Sequence, residues 1–231
     1  MPCEGEDALA EYGCRVIRVP GADYLAPPVS SHPDMIFLPL GDKLFCHRLY
    51  LSTDVGRSTT ETAASLGGKT IVPIDDETGA EYPLDVPLNC AVIGNILLAS
   101  PHTSLAVTEY AEGIGMVICR VKQGYVKCSS AVINGDGQGV ITSDSGIAHT
   151  AEKNGIKVLI VPPGDIILPG YDYGFIGGCT GYDGGKMFFT GDLSLYPHEK
   201  EVKAFLGGFG CEAVSLLPGR PLTDYGSILF L

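Results

Sequence analysis

Long apolar runs are missing from this chain of 231 residues: no stretch approaches the 18 or so residues that a membrane-spanning helix needs. Positive charge is scarce as well. Lys and Arg total 15 against 27 Asp and Glu, for a net charge of −12, and the basic residues are scattered. Such a surface repels phosphate backbones, so neither nucleic acid nor a membrane is expected as a partner. The opening residues MPCEGEDALAEYG are acidic and lack the apolar core of a secretory leader, so a cytoplasmic location is expected. None of the eight cysteines is paired in a CxxC spacing, and His47, His102, His149 and His198 show no HExxH-like spacing. Zinc ribbons and redox CxxC sites are thereby excluded, and no metal or cofactor is expected. The Gly-rich GGCTGYDGGK (177–186) is followed by Met187 and a strand, so it is no P-loop.

What the chain does have is a repeat. Five times a helical stretch ends at Gly and an apolar strand follows: EDALAEYG-CRVIRVPG (6–21), ETAASLGG-KTIVPID (61–75), LAVTEYAEGIG-MVICRVKQG (105–124), GIAHTAEKNG-IKVLIVPPG (146–164) and HEKEVKAFLGGFG-CEAVSLLPG (198–219). Gly13, Gly68, Gly115, Gly155 and Gly210 suit the left-handed residue that closes a helix. The aliphatic runs suit buried strands, and Cys14, Cys119 and Cys211 within them should be buried and unreactive. Ahead of four helices an apolar strand ends in a polar cluster: LYLSTD (49–54), ILLASP (96–101), VITSDS (140–145) and MFFTGD (187–192). Asp54, Asp144 and Asp192 there read as turn or capping residues. DETGAEYPLD (76–85) and NGDGQG (134–139) read as loops or hairpin turns.

The first helix has no strand before it, and the chain ends on a lone apolar strand, GSILFL (226–231). Joining the two removes exposed strand edges. The expectation is one α/β domain over 1–231. It is a five-fold pseudosymmetric β/α-propeller of strand–helix–strand repeats, with helices near 6–13, 61–67, 105–113, 146–154 and 198–209, closed by pairing of the N- and C-terminal segments.

Five such units with joined ends resemble the pentein superfamily. It contains guanidino-modifying enzymes (deiminases, dimethylargininases, amidinotransferases) and a non-enzymatic ribosome anti-association factor. HPDM (32–35), ILPGYDYGFIGG (167–178) and PLTDYGSILFL (221–231) look more closely like an uncharacterised bacterial family. The superfamily resemblance implies a Cys nucleophile in the last unit, a His acid/base and carboxylates that grip a guanidinium. Asp34 stands where those enzymes have an acidic residue. In GYVKCSSAV, Tyr125 stands at the place of their His, and LTDYGSILFL has no Cys. The family mechanism is therefore not carried over.

In this architecture SSHPD (30–34), LNC (88–90), YVKCSS (125–130), GGCTG (177–181) and LTDYGS (222–227) should converge on a central channel. Cys90 and Cys128 are candidate nucleophiles, with Lys127 or His32 to activate a thiolate, and His32 is a candidate acid/base. Asp34, Asn89, Lys127, Ser129, Cys179 and Asp224 are candidates for binding a ligand. Two carboxylates suit a small cationic or guanidino-type compound. Two functions follow. One is non-catalytic binding of a small molecule or a protein partner. The other is a divergent hydrolase or transferase, directed at guanidino or amide groups, with a central-channel thiol.

Overall fold

The structure, a computed structural model, describes residues 1–135 and 137–231. Four units share one plan, and each has three strands. In the first, β1 (Phe37–Leu40) and β2 (Lys43–His47) form a hairpin, α3 (Arg48–Ser52) and α4 (Asp54–Gly67) follow, and β3 (Thr70–Ile74) returns parallel to β2. The short α2 (Pro33–Ile36) leads into β1, and α1 (Cys3–Glu11) lies ahead of all four units. The second unit is β4 (Ala91–Ile93), β5 (Ile96–Ala99), α5 (Leu105–Gly113) and β6 (Val117–Arg120). The third is β7 (Ser130–Asn134), β8 (Gln138–Thr142), α6 (Ser145–Lys153) and β9 (Lys157–Ile160). The fourth is β10 (Thr180–Asp183), β11 (Lys186–Phe189), α7 (Glu199–Gly207) and β12 (Glu212–Ser215). In each sheet the middle strand pairs antiparallel with the one before it and parallel with the one after the helix.

Local signals explain the punctuation. Gly13, Gly68, Gly115, Gly155 and Gly210 all have φ between 62° and 81°, where a Cβ would be strained. The Asp144 carboxylate accepts from Ile147 N at 2.8 Å and that of Asp192 from Ser194 N at 2.9 Å, so both cap as expected. Asp54 does not. Thr53, one residue earlier, accepts from Gly56 N, and Asp54 sits in the first turn against Arg57. The turn NGDGQG includes Asp136, which lies outside the described residues.

Burial falls outward along each sheet. The middle strands are almost wholly buried, as with Leu97, Leu98, Val140 and Ile141 at 0% exposure, whereas each third strand begins on an exposed residue and is mostly exposed or part-buried. Hydrophobic clusters bridge consecutive units. One joins Leu38 and Phe45 to Leu97 and Val107, a second Leu98 to Val140, a third Ile141 to Phe189. A fourth joins Phe188 and Val214 to Leu9, Ile228 and Phe230.

At the two ends of the chain the structure departs from expectation. Residues 226–231 are not a strand, and among the described residues no backbone hydrogen bond joins them to residues 14–20. Ile228 N instead donates to Thr180 O beside β10. The reason is the third strand. In every complete sheet the first and last strands touch the middle strand and not each other, so two end segments alone have nothing between them to pair with. Cys14, in the open segment, is only part-buried, while Cys119 and Cys211 are buried.

Candidate functional site

The polar segments ahead of the first strands meet. Asp34 enters on the first turn of α2, and its N–H donates to Gly226 O at 3.1 Å. Its carboxylate Oδ2 accepts from Ser227 Oγ at 2.6 Å and from Cys128 Sγ at 3.2 Å. Asn89, wholly buried, ties three units together. Its Nδ2 donates to Asp34 O and Cys128 Sγ, and its Oδ1 accepts from the N–H groups of Lys127 and Cys128. Lys127 Nζ donates to Ser227 Oγ at 2.8 Å. Asp224 accepts from Phe175 N and Gly226 N, both at 2.9 Å, and lies 3.8 Å from His32 Nδ1. Five separate stretches of chain thus share one buried network.

Glycine makes the approach possible. A Cβ on Gly178 would lie 2.0 Å from the Asp224 carboxylate, and one on Gly177 would lie 2.2 Å from Lys127 O. The GGCTG and DYG sequences are therefore steric requirements of the network. Ser227 follows Gly226 with φ 69°, the one positive φ outside glycine among the described residues.

Electrostatics fix the protonation of the thiols. Burial, with the charge of Asp34 and Asp224, pushes Cys128 well above its ordinary range, and burial does the same to Cys179. Cys90 is pushed up to about 12 by burial. Cys128 is a protonated thiol that donates to Asp34 and accepts from Asn89. No thiol hydrogen-bonds to His32 among the described residues. Burial lowers Lys127, opposed by Asp34, and burial raises Asp224, opposed by His32. A lysine and a carboxyl group both held toward neutrality mark a site where charge is expensive.

Of the sequence candidates, His32, Asp34, Asn89, Lys127, Cys128 and Asp224 come together. Cys179 donates instead to Ile176 O; among the described residues Cys90 makes no side-chain bond to the network and the buried Ser129 hydroxyl has no partner. Tyr125 donates to Asp85, away from the carboxylate pair. Ser227 ends the LTDYGS segment expected to converge on the channel but was not singled out within it; its only signal is the Gly-Ser step. Two cavities flank the network. One of about 250 Å³ is lined by Asp34, Lys127, Cys90 and Tyr182, and one of about 770 Å³ by His32, Asp224 and Ser227 among others. Among the described residues no group of three or more His, Cys, Asp and Glu is placed to hold a metal ion. No helix among them is long and apolar enough to cross a membrane.

The model of a family of unknown function, DUF6873, matches residues 1–229. The chain belongs to the DUF6873 family. No curated protein matches it. Among solved structures, this DUF6873 chain is similar to SxtG, an amidinotransferase of the saxitoxin biosynthetic pathway from Microseira wollei. The TM-score is 0.54 at 12% identity, over 93% of this chain and 76% of that one. It is similar also to a dimethylarginine dimethylaminohydrolase variant captured as an adduct with S-methyl-L-thiocitrulline. There the TM-score is 0.52 at 12% identity, over 92% of this chain and 80% of that one. These likenesses bear out the resemblance to the guanidino-modifying superfamily at the level of fold.

Proposed function

We propose that this DUF6873 protein binds a small organic cation of guanidinium or amidinium type at Asp34 and does no chemistry on it. One observation carries the reading: Asp34 Oδ1 is a buried carboxylate oxygen without a partner among the described residues, in a residue that lines the 250 Å³ cavity. Charge supports it. Asp34 and Asp224 lie with Lys127 and His32 where burial makes any charge costly, and a cation beside Asp34 offsets the carboxylate there. A planar guanidinium offers the fork of N–H donors that such an oxygen accepts best. The two similar folds belong to proteins named for amidino and dimethylarginine chemistry, which agrees with this ligand class. A five-unit ring around the cavity and a cytoplasmic setting are part of the same reading.

Titration calorimetry with agmatine and methylguanidine tests it. Asp34→Asn is expected to weaken agmatine at least tenfold while unfolding stays cooperative, because the amide oxygen still accepts from Ser227. Failure of both compounds to bind the unaltered protein at millimolar concentration would sink the reading. A stoichiometric protein complex, indifferent to Asp34→Asn, would transfer the function to a protein partner.

A second reading rests on the 2.8 Å contact of Lys127 Nζ with Ser227 Oγ. A neutral Lys127 would accept the Ser227 proton and make the hydroxyl, in place of a thiol, the nucleophile of an amide- or guanidino-directed hydrolase. Turnover of agmatine that is lost in Ser227→Ala with binding retained would establish it.

A further inference from the structure

We infer that the 770 Å³ cleft at the ends of the chain is the place of a middle β-strand, and that it takes a separate extended apolar peptide of about five residues. This inference does not depend on the ligand reading. The complete sheets give the template. In the third, Val140 of the middle strand lies opposite Val132 on one side and Val158 on the other. The fifth unit repeats every part of that sheet but the middle. Residues 14–20 follow α1 and Gly13 as β9 follows α6 and Gly155, and residues 228–231 run beside β10 as β10 runs beside β7. The cleft is lined on one side by residues 14–19 and on the other by residues 227–231.

Both walls are bare edges. Among the described residues, no backbone hydrogen bond is made to or from residues 15–19 or 229–231. Val16 and Leu231 stand 38% and 43% exposed. Unpaired edges facing each other across one vacancy bind an extended peptide by strand addition. Adjacent strands lie about 4.8 Å apart, so two segments that each border a missing middle strand do not pair with one another directly.

The occupant's chemistry follows from its neighbours. Leu9, Phe37 and Leu44 line the cleft, and the four existing middle strands are buried nearly throughout. The peptide is therefore apolar on both faces. It runs parallel to residues 15–19 and antiparallel to residues 227–231, so that its C-terminal end meets the start of α1. Nothing within the chain is left for the role: the other strands among the described residues are each paired in their own sheets.

The probe is the β8 sequence QGVIT (138–142), added as a synthetic peptide and, separately, fused as QGVITSD (138–144) directly ahead of Cys3. Fusion raises the local concentration of the strand. Hydrogen exchange is expected to slow at least tenfold at residues 15–19 and 229–231. The fused protein is expected to melt more than about 3 °C higher, as a gain near 1 kcal/mol gives in a chain of this size. The same peptide or fusion carrying Val140→Pro should do neither. Unchanged exchange with the fusion overturns the proposal. So does protection already present in the unfused chain, which would mean that the end segments pair directly. Protection of the unfused chain that vanishes on dilution would make a second copy the occupant and overturn it equally.

Discussion

The third unit and the terminal one make an instructive pair. Each has a helix of nine residues closed by a left-handed glycine, Gly155 in one and Gly13 in the other. Each then sends out an aliphatic run. In the third unit that run is β9, hydrogen-bonded along β8. In the terminal unit it is an open segment. Helix and cap are local structures, satisfied within a few residues. A strand is satisfied only by a neighbour, so the same sequence pattern gives a strand beside β8 and none beside a vacancy.

The strongest test of that contrast is a pair of charges. Ile141→Asp, at 0% exposure in β8, is expected to cost more than about 4 kcal/mol and to abolish folding at room temperature. Val16→Asp in the terminal unit should change stability by less than about 0.5 kcal/mol. Urea denaturation of the two variants measures both, and equal costs would mean that the terminal unit is as well packed as the third.

Acid should act next most strongly, and on the complete part of the molecule. His47, at the end of β2, is pushed down to about 4 by burial. Its folded value lies below the unfolded 6.5, so the unfolded state binds the proton first. Stability is full above pH 6.5, falls as pH drops toward 4 and then levels, a loss of about 3 kcal/mol. His47→Gln should flatten that slope in pH-dependent melting curves. A slope unchanged by the substitution would assign the acid sensitivity to other groups.

Asn89→Ala removes the acceptor shared by the N–H groups of Lys127 and Cys128 and leaves both without that partner. A loss of about 3 kcal/mol is expected in chemical denaturation, and agmatine binding should fail with it. Smallest of all, Gly13→Ala and Gly155→Ala should each cost about 1 kcal/mol, since a Cβ at either meets nothing and only the positive φ is penalised. Thermal melts giving equal costs would confirm that helix closure is indifferent to the missing sheet. A much smaller cost at Gly13 would show that α1 is loosely held.

The repeat was legible because its markers are local. All five glycines could be read, as could the caps Asp144 and Asp192, while Asp54 lost its role to Thr53 by a single residue. The convergence of His32, Asp34, Asn89, Lys127, Cys128 and Asp224 was legible through the repeat, which places each ahead of a unit's first strand. Two things were not. The hairpin strand within each unit merges with its neighbour in an apolar run such as IFLPLGDKLFCH (36–47), so three strands read as two, and closure by direct pairing then looked possible. Ser227 carries no pattern of its own. Its place depends on a backbone turn, φ 69°, that only the folded contact with Lys127 and Asp34 reveals.

The bond from Ser227 to Asp34 joins residues 193 positions apart, and that from Asn89 to Cys128 joins residues 39 apart. Such contacts close longer loops than the hairpins and helices do, and are expected to form after them. A chain growing from the ribosome can therefore assemble four sheets in turn while its central network stays open. The part of that network that runs through Asp224 and Ser227 exists only once all four sheets have been made.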